Sequence, residues 1–213
     1  ILSVKLINGV SKEIIIVNDG SSDSSSNIIN NYIQTHPEAE ISFIDNKKNK
    51  GKGNAIQTAI QKASGEFLII QDADLEYNPE EFNLLLDPVI NNGADVVYGS
   101  RFMGGNPHRI LFFWHSLGNA FLTFLSNMAT NLNLSDMETC YKMIRTEYAQ
   151  SIKITENAFG IEPEITAKLA RIKNIRFYEV GISYHGRTYA EGKKINWKDG
   201  FRALYCILKY KFF

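Results

Sequence analysis

Short runs rich in β-branched residues alternate with stretches of helical periodicity, and this alternation most constrains what the chain can fold into. Residues 13–17, 41–44, 67–71 and 95–98 each read as a strand covered on both faces. Between them, a helix runs to about Thr35 and stops at His36-Pro37, with Asp23 or Ser22 as its cap. A second over 54–62 places Ala55, Ile56, Ala59 and Ile60 on one face and ends before Gly65, at the position where glycine closes a helix. A third, opened by Asn78-Pro79-Glu80-Glu81, runs to about Asn91 and closes at Gly93. The pattern predicts an α/β fold with an open sheet and helices on both faces. In such sheets the ligand crevice lies outside the carboxyl ends of the strands, where two acidic loops fall, 19–23 and 72–76.

Composition narrows the function. The 213 residues, 44% hydrophobic, suit one domain with one sizeable core, and no linker or repeat divides it. Lys plus Arg and Asp plus Glu both total 23, so no global field favours nucleic acid or an anionic bilayer, and any anion must be recognised locally. Cys140 and Cys206 stand apart without a CxxC or Cys/His grouping, which points to reduced thiols in a cytosolic setting rather than zinc or a disulfide scaffold. No signal peptide is visible. The most apolar run, 110–125, is shorter than the roughly 20 residues a span requires and carries His115, Ser116 and Asn119, so it reads as a buried helix or as a surface element touching lipid. Residues 197–213 read as an amphipathic helix with Phe201, Leu204, Tyr205, Leu208 and Phe212 on one side, able to lie in a membrane interface or to pack on the domain.

Asp72-Ala73-Asp74 follows a buried strand, where carboxylates are costly unless they hold a cation or are well hydrogen-bonded. Hard divalent ions commonly bridge such carboxylates to substrate phosphates. No GxGxxG follows the first strand, which disfavours a dinucleotide dehydrogenase. The ordered set 17–23 (VNDGSSD), 49–53 (NKGKG), 72–76 (DADLE), 99–101 (GSR), 135–142 (SDMETCYK) and 186–194 (GRTYAEGKK) resembles the family-2 glycosyltransferases of GT-A fold. Within them it looks most like the dolichyl or polyprenyl phosphate hexose (mannose or glucose) synthases.

The resemblance implies a Rossmann-like fold with a nucleotide-sugar half over about 1–100 and an acceptor half over about 101–213. It implies that Asp19 and Asp23 form the base pocket, that Gly51 lets the backbone approach the nucleotide while Lys52 offsets phosphate charge, and that Asp72 lies near the ribose and metal. Asp74 matches the principal ligand of a Mg2+ or Mn2+ ion, with Asp72 and Glu76 beside it. Arg187 and Lys193 match a loop closing over the donor diphosphate. Arg101, after a predicted strand, and Arg109, just before the apolar run, are expected to grip an acceptor phosphate. The implied reaction is inverting transfer of a hexose from GDP-mannose or UDP-glucose to a lipid-linked phosphate, by a protein peripheral to the cytosolic face of a membrane.

Alternatives remain. Asp136, or Glu138, could serve as general base for transfer to a sugar hydroxyl of a polysaccharide or glycolipid, because the family's lipid-phosphate branch usually follows this aspartate with a small-residue pair rather than Glu138-Thr139-Cys140. A degenerate module that binds nucleotide without turnover is a third reading. The family also opens with a strand ending in a Pro-x-Tyr/Phe-Asn-Glu motif, and nothing of that kind precedes Ile14. Residues 2–10 read as the end of the helix that should follow it, so the first strand is expected to be missing and its neighbours to expose unpaired edges.

Overall fold

The computed structural model describes residues 1–104, 109–110, 112–188, 191 and 197–212. Strands β1 (Ile14–Asn18) and β2 (Ile41–Asp45) pair in parallel, Ile14 opposite Ile41, and are joined by α1 (Ser25–Thr35). The chain continues through α2 (Lys52–Lys62), β3 (Phe67–Ile69), α3 (Phe82–Asn92) and β4 (Val96–Ser100). Then come α4 (Phe113–Thr130), β5 (Lys142–Arg145), α5 (Thr146–Ser151), α6 (Ile161–Leu169), β6 (Phe177–Gly181) and α7 (Trp197–Phe212). The last four strands form a second sheet in the order β3-β5-β4-β6. Among the described residues the two sheets share no strand pairing.

The second sheet is mixed. β5 runs against both β3 and β4, whereas β4 and β6 are parallel. The cause lies just before β5. Asn131 closes α4 in a left-handed conformation, and the returning chain docks at the carboxyl end of β4, where Ser135 and Ser100 share a 2.6 Å hydroxyl contact and Arg101 N–H donates to Asp136. A strand that starts at that end can only run back down the sheet. Hydrophobic periodicity carries no such direction.

Two expectations fail locally. Residues 2–10 do not form an α-helix; the only helical piece is a 3-10 turn at Ile7–Gly9, with Asn8 and Gly9 left-handed and the Lys12 ammonium donating to the carbonyls of Ile1, Leu2 and Val4. Gly65 has no left-handed φ, because α2 leaves through extended Ala63 and the Glu13 carboxylate takes the N–H groups of Ser64 and Gly65. The third helix starts and stops as expected: the Asn78 side chain accepts from Glu80 N–H ahead of a 3-10 turn that leads into α3, and Gly93 closes α3 at φ 65°.

The core sits on both faces of the second sheet. All five residues of β4 are buried; Val96 and Tyr98 pack with Ile144, Ile161 and Ile165, while Val97 faces Leu85, Tyr141 and Ile182. Burying such side chains contributes roughly 2 kcal/mol each, so stability concentrates here. By contrast α1 has no buried residue, and only Asn18 is buried in β1. Helix α7 turns Ala203, Cys206, Ile207 and Tyr210 inward, an i, i+3, i+4, i+7 stripe that packs on α6 and α4. Its other side exposes Phe201, Tyr205 and Leu208, so the helix both packs on the domain and presents an apolar face.

Candidate active site

The acidic loops meet at one end of the molecule. Asp19, just past β1, accepts backbone N–H bonds from Lys50 (3.0 Å) and Gly51 (2.7 Å), together with the Asn46 amide. Its carboxylate thus ties the 46–51 loop to the strand end. Gly51 takes a left-handed φ of 93° and opens α2, and a Cβ there would lie 2.3 Å from the Asn157 carbonyl oxygen. Asp23, ahead of the Ser24 N-cap of α1, accepts Ser25 N–H at 3.0 Å, and hydrogen bonds from the Ser25 hydroxyl and then from its N–H hold the Asp23 carboxyl below the usual range.

Lys52 reaches across to Asp72 at 2.9 Å and to the buried Glu162 at 3.5 Å. Burial would lower its pKa, but the charges of Glu162 and Asp72 more than offset this and keep it protonated. Glu162 is shared with Lys142, fully buried and 2.5 Å away. Asp72 is therefore ion-paired with Lys52, and it is not grouped with Asp74 and Glu76 around one point.

Asp74 and Glu76 instead converge on Arg187. Its Nη2 lies 2.8 Å from Asp74 Oδ2, its Nε 3.0 Å from Glu76 Oε1, and its backbone N–H also donates to Glu76. Tyr184 O–H donates to the other Glu76 oxygen. Burial pushes the Asp74 carboxyl above its usual range, reinforced by the charges of Glu76 and Asp72. Glu76 is buried to a similar degree, but the Arg187 and Tyr184 hydrogen bonds outweigh that and hold its pKa low.

A spot where two carboxylates share one cation, with oxygen donors only, suits a hard divalent ion. Among the described residues no group of three or more His, Cys, Asp or Glu side chains is poised around one point, so such an ion would draw its remaining ligands from donor phosphates or water. The residues present fit the implied metal, provided Arg187 yields its place.

The acceptor-side arginines are also engaged. Arg101 sends Nε and Nη2 to the two oxygens of Asp136 at 2.7 and 2.8 Å, its backbone N–H to the same carboxylate, and its face against the Tyr184 ring. Asp136 is 0% exposed. Burial opposes the charge on Arg101, yet the Asp136 carboxylate raises its pKa well above the ordinary value. Arg109 sits further out, pairing with Glu191 at 2.8 Å and with the Gly186 carbonyl. The arginines thus form two separate acid pairs rather than one guanidinium clamp. Lys193 lies outside the described residues.

Beside the Arg101–Asp136 pair opens an apolar cavity of about 370 Å³, lined by Phe102, Phe113, Ser116, Leu117, Ala120 and Ser135. Along α4, the exposed residues Phe113, Trp114, Leu117, Phe121, Phe124 and Met128 continue this surface. Sequence reasoning gave no role to Tyr184, which supports Glu76 and lies against Arg101, or to Glu162 and Lys142, the buried pair beside Lys52. Their only signal was polar character within otherwise apolar segments.

Comparison with known proteins follows the same line. The model of Glycosyl transferase family 2 matches residues 1–153. Over 211 residues the chain is 28% identical to the dolichyl-phosphate beta-glucosyltransferase of Dictyostelium discoideum, covering 91% of this chain and 62% of that protein. It is 25% identical to the dolichol-phosphate mannosyltransferase of Pyrococcus furiosus, covering 96% of this chain and 57% of that one. The chain therefore spans about six tenths of the length of these relatives.

Among solved structures, a mannosyltransferase from Pyrobaculum calidifontis in complex with GDP-Man and Mn2+ superposes with a TM-score of 0.55 at 15% identity, covering 82% of this chain and 47% of that one. Glucosyl-3-phosphoglycerate synthase from Mycobacterium tuberculosis, in complex with Mn2+, UDP and phosphoglyceric acid, reaches 0.68 at 15% identity, covering 96% of this chain and 69% of that one. At such identities the likeness establishes the shared GT-A fold.

Proposed function

This chain belongs to glycosyl transferase family 2, and from that premise we propose that it moves a hexose from GDP-mannose or UDP-glucose to a polyprenyl or dolichyl phosphate. The observation that carries the acceptor class is the apolar cavity opening beside a buried Arg101–Asp136 pair. It offers a greasy wall to a lipid tail, with the Arg101 guanidinium beside it for an anionic head.

On the donor side, Asp19, Asp23, Gly51 and Lys52 border the nucleotide, and Asp72 releases Lys52 toward phosphate as the donor enters. Asp74 and Glu76 would hold Mg2+ or Mn2+, which when bound neutralises the departing diphosphate. Arg187 moves from those carboxylates to the diphosphate oxygens, assisted by Lys193. Asp74 and Glu76 thus keep a cation, Arg187 or the metal, whether or not the donor is present. The acceptor phosphate is already anionic at neutral pH, its second pKa being about 6. It attacks the anomeric carbon in line; the new carbon–oxygen bond forms as the bond to the diphosphate breaks, with inversion and no protein base. Asp136, sequestered by Arg101, is a positioning group in this scheme.

Helices α4 and α7 pack together, and their outward aromatic faces rest on the cytosolic surface of a membrane in this reading. Among the described residues no helix is long and apolar enough to cross one.

The test supplies radiolabelled donor, Mn2+ and vesicles containing polyprenyl phosphate. Label should partition into chloroform as a product cleaved by mild acid; label confined to water-soluble glycan would refute the acceptor class. The hydroxyl-acceptor alternative requires that Asp136→Asn keep donor binding and lose transfer altogether.

A further inference from the structure

The donor loop and the outer helix α7 are separated by a single stretch of backbone. On one side, Glu156 is 3% exposed and its carboxylate is held entirely from α7: Arg202 donates to Oε2 at 2.5 and 3.0 Å, and Lys209 and Tyr210 donate to Oε1 at 3.0 and 2.8 Å. Thr155 reaches the same Tyr210 hydroxyl at 2.6 Å. Burial alone would raise the Glu156 pKa, but these bonds outweigh it and hold the carboxyl down to about 2.

On the other side, the backbone of 156–157 lies against the glycines that open α2. Gly53 N–H donates to the Asn157 carbonyl at 3.2 Å, and a Cβ at Gly53 would fall 1.7 Å from the Glu156 carbonyl oxygen. Gly51, whose own N–H is bound by Asp19, packs against Asn157 in the same way. Near the far end of the loop, Gly160 leaves no room for a Cβ, which would meet Cys206 of α7 at 2.5 Å. The Glu156 side chain and the 156–157 backbone thus join α7 to the donor loop, so a shift of α7 either breaks the Glu156 clamp or carries the donor loop with it.

We propose that Glu156 is a positioning residue through which the seating of α7 sets the Gly51–Gly53 loop, making donor affinity depend on how α7 is held. This rests on the reading of that loop as part of the nucleotide site. By linkage the dependence is reciprocal: nucleotide must tighten α7 as much as α7 tightens nucleotide.

The experiment measures UDP and GDP affinity, with Mn2+, by calorimetry on the full chain. The variants are Arg202→Met with Lys209→Met, Lys209→Met alone, and Glu156→Gln. The altered α7 side chains bond the Glu156 carboxylate. The double variant should bind nucleotide more weakly by about fivefold or more, Lys209→Met by less, and Glu156→Gln, which can still accept from Arg202, should sit nearest the parent. Amide exchange in α7 should slow when nucleotide binds the parent. If the parent binds neither nucleotide, the site reading fails and the relay with it. If the parent binds and all three variants match its affinity, even with a lowered Tm, the relay alone is overturned and Glu156 is merely a structural clamp.

Discussion

The two sheets of this molecule handle charge in opposite ways. Around β1 and β2, carboxylates stand at loop tips: Asp19 holds backbone N–H groups, Asp23 accepts Ser25 N–H at the start of an exposed helix, and no residue of α1 is buried. Around β4, β5 and α6, charges are built into the interior: Arg101 on Asp136 and Lys142 on Glu162. Exposed loop charges can exchange partners at little cost, whereas buried pairs cannot. Under the proposed function, the contrast lets one half of the site adapt to the donor while the other is a fixed wall for the acceptor.

The largest effect should come from breaking the wall. Asp136→Asn strands a buried guanidinium and should cost about 3–5 kcal/mol in urea unfolding. A variant as stable as the parent would mean that the pair does not hold the wall together. Next comes Glu138, whose pKa is raised by burial to about 8 and whose Oε1 has no hydrogen-bond partner. Between its ordinary value of 4.5 and about 8 the folded protein holds a proton that the unfolded chain has released, so stability falls as pH rises through that window. Glu138→Gln should remove the slope and raise stability above pH 8 by about 2 kcal/mol, or roughly 4–8 °C in Tm. An unchanged slope would place the buried proton elsewhere.

These two residues mark what the sequence did and did not make legible. The strands at 13–17, 41–44 and 95–98 fall within a residue or two of their expected places, because β-branched runs bounded by turn residues have a single reading. The DADLE loop likewise sits past the carboxyl end of β3. The direction of β5 was hidden because it depends on where a distant segment docks. Partner choice was hidden for the same reason: Arg101 and Asp136 are 35 positions apart, Asp74 and Arg187 more than a hundred, and only the folded chain shows that they neutralise each other. The face of α7 was ambiguous because both of its sides are apolar.

A smaller effect probes the link between the halves. Glu156 has a folded pKa of about 2, so its stabilisation is complete above the ordinary value of 4.5 and is lost as pH falls toward 2. Because Arg202 is half exposed and its charge is screened, Glu156→Gln should flatten the acid limb by only about 1 kcal/mol. A parent whose acid limb is already flat would contradict the clamp. The smallest change in stability should follow Arg187→Gln on the adaptable side, under about 1 kcal/mol, since that side chain is 43% exposed. Yet Mn2+ should bind this variant more tightly in the absence of nucleotide, as read from free Mn2+ by electron paramagnetic resonance, because the competing cation is gone. Weaker binding would instead make Arg187 a support for the carboxylates.

Hydrogen exchange with and without nucleoside diphosphate and Mn2+ tests most directly the claim that the donor is held by the adaptable loops. Protection should rise at 18–23, 49–54, 72–76 and around Arg187, and Asp74→Ala should abolish the rise. Protection confined to other segments, or unchanged in Asp74→Ala, would contradict the account.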